Sequence, residues 1–307
     1  MRVCLMIEGQ EGVTWDEWVA LARAAENAGL EALFRSDHYS AIIRPAAGAL
    51  EAWTTLAGLA AVTTRLRLGT LVSPGTFRHP SVLARMATTV DHVSGGRVEI
   101  GMGAGWYERD HTENGFPYLD AKTRFAVFAE QVEIVSRTWT EEGFDHRGEH
   151  YTLESQTALP RPVQQPHPTL VLGGTAKPRS AALAARFASE YNTLNAPLDE
   201  LRARRSRLDD ACAASGRDPA TLGYSLMTTC VVGRDRAEVD ARLDSLRQLL
   251  GDREWMGDWP RGTIEEVAER LGVLAGAGIS RVMLQHLDHR DLDAVAVMGE
   301  LARAVAA

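Results

Sequence analysis

Three short stretches bring together groups that could do chemistry. Ser36-Asp37-His38-Tyr39 sets a carboxylate beside an imidazole. A neutral imidazole can donate to a carbonyl or ring nitrogen, and an imidazolium can offset charge on a reduced cofactor; the competing reading is a satisfied structural histidine. Between Arg97 and Pro117, glycines at 101, 103 and 105 give way to Trp106, Glu108, Asp110 and His111. Glu108 and Asp110 stand two apart, so either could act as a proton donor if burial raised its pKa, or both could simply be solvated. Trp106 could stack on a planar ring or fill core space. In Gly173-Gly174-Thr175, just before a helical pattern, glycines let the backbone approach a ligand and the helix N-terminus favours negative charge. A plain turn fits that stretch equally well. His79, directly before Pro80, reads as structural.

Other chemistries lack their residues. There is no His-x-His after the first strand, no His-Glu-x-x-His and no Gly-x-Ser-x-Gly elbow, so no metal is expected and serine hydrolysis is disfavoured. The Gly101-x-Gly103-x-Gly105 string is not the dinucleotide fingerprint, because its third glycine comes one place early.

These residues need elements to position them. Strands are expected at Val3–Ile7, Glu31–Arg35, Leu66–Val72, Arg97–Ile100, Thr169–Leu172, Phe187–Asn192, Leu222–Val232 and Ile279–Leu284. Helical patterns lie between them, with a period of roughly 30 residues in the first third. Thr14 and Glu17 form a capping box, Gly29 stops the first helix, and Pro80 opens another. This alternation predicts one (β/α)8 barrel over residues 1–307, with a rim insertion over about 141–168 and a lid-like loop over about 251–262 that carries Trp255 and Trp259. A doubly wound sheet is second choice, since no glycine fingerprint follows Ile7. In a barrel, the loops after every strand open on one face. They would gather Glu8, Asp37, His38, Ser73, Trp106, Gly173, Gly174, Thr175 and Gln285 into a set suited to a flat, anionic cofactor.

Composition narrows the partners. The 307-residue chain is 45% hydrophobic and carries 33 Lys plus Arg against 41 Asp plus Glu, a formal charge of -8. Nucleic acid and anionic membranes are therefore poor partners. Three scattered cysteines give no disulfide framework, and the chain is expected to be cytoplasmic.

At this point the sequence resembles the bacterial luciferase-like family of flavin and deazaflavin oxidoreductases. The matching stretches are Ser36-Asp-His-Tyr39, Leu68-Gly-Thr-Leu-Val-Ser73, Asp91-His-Val-Ser-Gly-Gly-Arg97 leading into Gly101-Met-Gly-Ala-Gly-Trp106, Gly173-Gly-Thr175 and Gly262-Thr-Ile-Glu-Glu-Val267. The likeness implies a (β/α)8 barrel, often dimeric, that binds FMN or the deazaflavin coenzyme F420. Asp37-His38, the Gly-Ala-Gly-Trp run and Ala158-Leu-Pro-Arg-Pro162 before Pro166-His-Pro168 look closer to the F420 branch. By the same likeness Asp37, His38, Thr70, Val72, Ser73, Gly105, Trp106, Gly173, Gly174 and Thr175 would hold the coenzyme. A cis peptide would lie near Leu71-Val72-Ser73, and the glycines around 101–105 would make room for the planar ring. His38, with Glu108 or Asp110, would serve catalysis; the family carries Glu where this chain has Asp110. The expected activity is hydride exchange between F420 and a small organic substrate, apolar or aromatic if the two tryptophans face it. The alternative is an FMN-dependent monooxygenase.

Overall fold

The computed structural model describes residues 1–44, 46–157, 159–251 and 258–306. Its elements, in order, are β1 (Arg2–Ile7), α1 (Trp15–Ala28), β2 (Ala32–Arg35), α2 (Ala52–Val62), β3 (Arg67–Thr70), β4 (Ser73–Pro74), α3 (Pro80–Ser94), β5 (Val98–Gly103), α4 (Glu108–Asn114) and α5 (Ala121–Thr140). There follow β6 (Phe144–Arg147), β7 (Thr152–Gln156), β8 (Thr169–Gly173), α6 (Pro178–Phe187), β9 (Glu190–Leu194), α7 (Leu198–Ala214), β10 (Gly223–Thr229) and β11 (Val231–Gly233). The chain closes with α8 (Arg236–Leu250), β12 (Arg261–Thr263), α9 (Ile264–Ala275), β13 (Arg281–Gln285) and α10 (Leu292–Ala306).

The large sheet runs β3-β2-β1-β13-β10-β9-β8-β5-β4, every neighbouring pair is parallel, and a β3–β5 pairing closes it. It is a closed (β/α)8 barrel. β3 and β4 act as one barrel strand, broken by the non-proline cis peptide Leu71–Val72. The expected doubly wound alternative would leave open edges, and here the first and last strands meet.

Sequence-coded caps start and stop the helices. Thr14 and Glu17 make both halves of the capping box, and Gly29 ends α1 in the left-handed conformation at φ 78°. Strand parity then divides the side chains. Cys4, Met6, Ala32, Phe34, Leu71, Val171 and Met283 fill the barrel interior, while Val3, Leu5 and Ile7 face the helix layer.

The barrel floor is charged. Arg281, at the start of β13, places its two terminal nitrogens 2.7 and 2.9 Å from the Glu99 carboxylate and one of them 3.4 Å from Glu190. Arg67 reaches the same Glu99 at 2.5 Å. Burial opposes ionisation of Glu99, yet the Arg281 and Arg67 charges and hydrogen bonds hold its carboxyl below the usual range.

Two segments differ from the sequence reading. Residues 108–114, read as loop, form the short helix α4. The seventh barrel strand stops at Thr229, and β11 leaves the barrel to pair with β12. The rim insertion expected over about 141–168 is present and holds the β6–β7 hairpin. Trp255 lies outside the described residues, whereas Trp259 packs against a small apolar cluster containing Ile43, Leu246 and Leu287. Among the described residues no helix is long and apolar enough to cross a membrane.

Candidate functional site

The C-terminal mouth of the barrel gathers the predicted residues from four sides. His38 follows β2 and is held from across the mouth by α4: its Nδ1 lies 2.5 Å from Oδ2 of Asp110. The other Asp110 oxygen accepts the backbone N–H of Tyr39 at 3.0 Å and of Ser40 at 2.7 Å. Asp110 is thus fully buried with three hydrogen bonds, while the His38 side chain keeps 14% exposure. Burial disfavours both charges, but each partner outweighs it for the other. The His38 imidazole is raised above its ordinary value, helped by Glu8 and Asp37, and the Asp110 carboxyl is lowered. Asp110 therefore sits as the carboxylate of a His–Asp pair, not as an acid open to the mouth. Glu108 lies exposed in the first turn of α4.

Trp106 and Tyr107 present ring edges to His38 at centroid distances of 5.9 and 5.8 Å. Trp106 is 63% exposed, so it does not fill core space. Leu194, at the end of β9, is also exposed.

Asp37 and Ser73 lie one layer below. Arg78 grips both Asp37 oxygens, at 2.6 and 3.0 Å, and reaches Glu51. The Ser73 hydroxyl donates to Asp37 at 2.6 Å and accepts Trp53 Nε1–H at 3.0 Å. Thr70 donates its hydroxyl to the Gly101 carbonyl at 3.0 Å. These three side chains are buried and spoken for inside the protein, so what their stretch can offer a ring is the backbone around Leu71–Val72. Arg78 was missed in the sequence. Its only signal there is a lone cation in the loop between β4 and α3.

The glycines do something other than expected. A Cβ on Gly101 would meet the Thr70 carbonyl oxygen at 2.1 Å, and one on Gly103 would meet Val72 Cγ2 at 2.6 Å. The space they vacate is occupied by the Thr70 carbonyl and by Val72, at the bulge where β3 breaks off before β4, not by open room for a ring. Gly105 is needed for its left-handed backbone, φ 77°. Gly173 differs: an added Cβ would meet only Val72, at an ordinary 3.4 Å. The bulge thus has β5 glycines behind it and Gly173 beside it.

Beyond Gly173 the chain forms an exposed cradle. Gly174 and Thr175 are exposed, and α6 begins without a side-chain cap on its first-turn amides. The exposed Lys177 and Arg179 flank that turn. Tyr191 fixes the loop by accepting Ala176 N–H at 2.8 Å and donating to Ser180. Uncapped amides with adjacent cations fit a phosphate.

Glu8, at the end of β1, is the mouth's remaining carboxylate. Gln285 donates to it at 2.5 Å and Gln10 at 2.9 Å, and the Thr229 hydroxyl donates to Gln285 at 2.6 Å. The sequence placed Glu8 at a strand end but gave it no task. Among the described residues no group of three or more His, Cys, Asp and Glu side chains could hold a metal ion.

A closed parallel barrel with a His–Asp pair and an uncapped helix N-terminus at one mouth has the architecture of a (β/α)8 barrel whose site lies at the C-terminal ends of its strands. The chain belongs to the bacterial luciferase family: the family model described as luciferase-like monooxygenase matches residues 2–307. It is 23% identical over 263 residues, 81% of this chain and 72% of the other, to an FMNH2-dependent dimethylsulfone monooxygenase of Pseudomonas putida. It is 32% identical over 196 residues to an F420-dependent glucose-6-phosphate dehydrogenase of Microbacterium testaceum, covering 63% of this chain and 57% of that one. In structure it resembles an F420-dependent secondary alcohol dehydrogenase solved with an F420–acetone adduct, with TM-score 0.85 and 17% identity over 99% of this chain and 98% of the other. The relatives thus include both F420-dependent and FMN-dependent enzymes.

Proposed function

We propose that this protein is an F420-dependent oxidoreductase that exchanges a hydride between the deazaflavin and a small organic substrate. The observation that carries the reading is the His38–Asp110 pair at the same mouth as the Val72 bulge, which follows the neighbouring strand, and Gly173 at the end of β8. It sets a group that can hold a proton beside a wall that a flat ring could lie against. The residues present fit the coenzyme. The Val72 bulge would back the ring, Trp106 would close one side, and Gly173, Gly174 and Thr175, with the α6 N-terminus, would hold the phosphate.

When bound, the deazaflavin supplies a carbon that accepts or gives hydride, while the protein binds, orients and handles the proton. Asp110 fixes His38 through Nδ1 and favours its protonated form, leaving Nε2 as the atom to exchange a proton with the substrate oxygen. Glu8, held by two amide donors, supplies a second fixed negative charge at the mouth. The site residues read from the sequence enter this proposal with different tasks. His38 moves the proton and Asp110 orients it, whereas Asp37, Thr70 and Ser73 support the wall from beneath.

The second reading, an FMN-dependent monooxygenase, is favoured by the similarity to the dimethylsulfone enzyme. The two separate in one assay. With oxidised F420 and a panel of secondary alcohols and aldehydes, substrate-dependent bleaching of the deazaflavin absorbance is expected. Oxygen uptake that requires reduced FMN and substrate, without any bleaching of F420, would replace the first reading by the second.

A further inference from the structure

A cavity of about 490 Å³ lies beside the mouth, between α8 and the segment joining β13 to α10. It has the size of a small-molecule site, and none of the residues assigned above to the coenzyme lines it. Its walls are chiefly apolar: Cys230 and Val232 after β10, Leu246 on α8, Leu287 after β13, and Ala294 and Met298 on α10.

The polar groups on its rim are matched to one another. Arg242 donates to Asp291 at 2.9 Å, to Asp293 at 2.6 Å and to the Val232 carbonyl at 2.7 Å. Ser245 donates to Asp288 at 2.8 Å, and Arg290 reaches away to Glu17, also at 2.8 Å. An anionic ligand would have to take Arg242 from carboxylates already bound to it, and a cationic one would compete with the same arginine. His286 is buried against the Asp291 carbonyl at 3.0 Å, and burial lowers its pKa, so it adds no charge at neutral pH.

We propose that this cavity is a second small-molecule site, taking a neutral, largely apolar compound of about the size of a substituted bicyclic ring. It is joined to the mouth by two hydrogen bonds. Thr229 lines the cavity and donates to Gln285, and Gln285 donates to Glu8. A ligand against Thr229 therefore stands two hydrogen bonds from the Glu8 carboxylate at the mouth. The proposal goes beyond the coenzyme reading and does not rest on it.

The test uses the full chain and the neutral fluorophore N-phenyl-1-naphthylamine. Saturable binding with one site per chain is expected. Ala241, exposed on α8 and lining the cavity, can be plugged without touching the core: Ala241→Trp should weaken the probe by at least about tenfold. Cys230 gives a second readout in the unaltered chain, because it is the only one of the three cysteines that lines the cavity. Saturating probe should slow its modification by methyl methanethiosulfonate at least about fivefold, set against the fraction of sites filled. Non-saturable binding, equal affinity in Ala241→Trp, or an unchanged Cys230 rate would each overturn the proposal. No readout needs a coenzyme, so failure here leaves the oxidoreductase reading standing, and failure of that reading leaves this one.

Discussion

The Nδ1 of His38 and the Oδ2 of Asp110 are 72 residues apart in sequence and 2.5 Å apart in space. The contact joins the end of β2 to α4 and makes a buried carboxylate the partner of a largely buried imidazole. Replacing Asp110 with Asn removes the charge and keeps the shape. Burial, the largest influence on His38, then acts with less opposition, and the imidazole pKa should fall. Titration of the His38 ring by NMR in the coenzyme-free protein checks this; an unchanged midpoint would separate the two residues.

The same pair sets a pH dependence of stability. Asp110 is lowered on folding, so its contribution is present above its ordinary value of 3.8 and is lost as pH falls through the folded value. His38 is raised, so its contribution is complete below 6.5 and is lost as pH rises through the folded value. The pair should stabilise most between those two limits. Asp110→Asn should cost about 1.5–3 kcal/mol there and less on either side. Urea melts at a series of pH values measure it, and a pH-independent cost would contradict it.

Gly101 and Gly173 both border Val72, but their substitutions should differ. Alanine at Gly101 forces a Cβ to 2.1 Å from a backbone oxygen, and loss of folded protein is expected. Alanine at Gly173 makes an ordinary 3.4 Å contact, so the melting temperature should hold while coenzyme affinity falls about tenfold or more. Equal melting temperatures for the two variants would show that the Thr70 carbonyl does not fill the space beside Gly101.

At the opposite end of the barrel, Arg281 carries the buried charge of the floor. Arg281→Met leaves Glu99 with only Arg67 and takes a cation from Glu190. A loss of roughly 3–5 kcal/mol is expected, with greater sensitivity to alkaline than to acid conditions, since protonating the stranded carboxylates relieves the penalty. Chemical denaturation at two pH values tests this, and coenzyme affinity in the surviving folded fraction should be unchanged.

The barrel was legible because its signals are local. A capping box at Thr14, stop glycines at 29 and 95, and apolar strands at regular spacing each act within a few residues. The mouth was legible as a set of strand-end residues, since barrel topology alone gathers them. Their tasks were not. Asp110 stayed open between a proton donor and a solvated acid because its partners, His38 and the amides of Tyr39 and Ser40, come from about 70 residues earlier. Arg78 carried no signal because its role depends on reaching Asp37 across two loops. Gly101 and Gly103 were read as room for a ligand, and the neighbours that fill that room are the Thr70 carbonyl and Val72, from the neighbouring strand and the break after it. Composition and periodicity report what a residue can do, while its partner decides what it does.

On the proposed reading the mouth binds the deazaflavin against the Val72 bulge and beside His38, with its phosphate in the Gly173–Thr175 cradle. The most direct measurement is titration of the coenzyme-free protein with F420, followed by the fluorescence of the deazaflavin ring, with FMN as competitor and Gly173→Ala as the altered cradle. The account expects saturable F420 binding that FMN displaces weakly and that Gly173→Ala reduces about tenfold or more with no change in melting temperature. Tight FMN binding with no response to F420, or F420 affinity indifferent to Gly173→Ala, would contradict it.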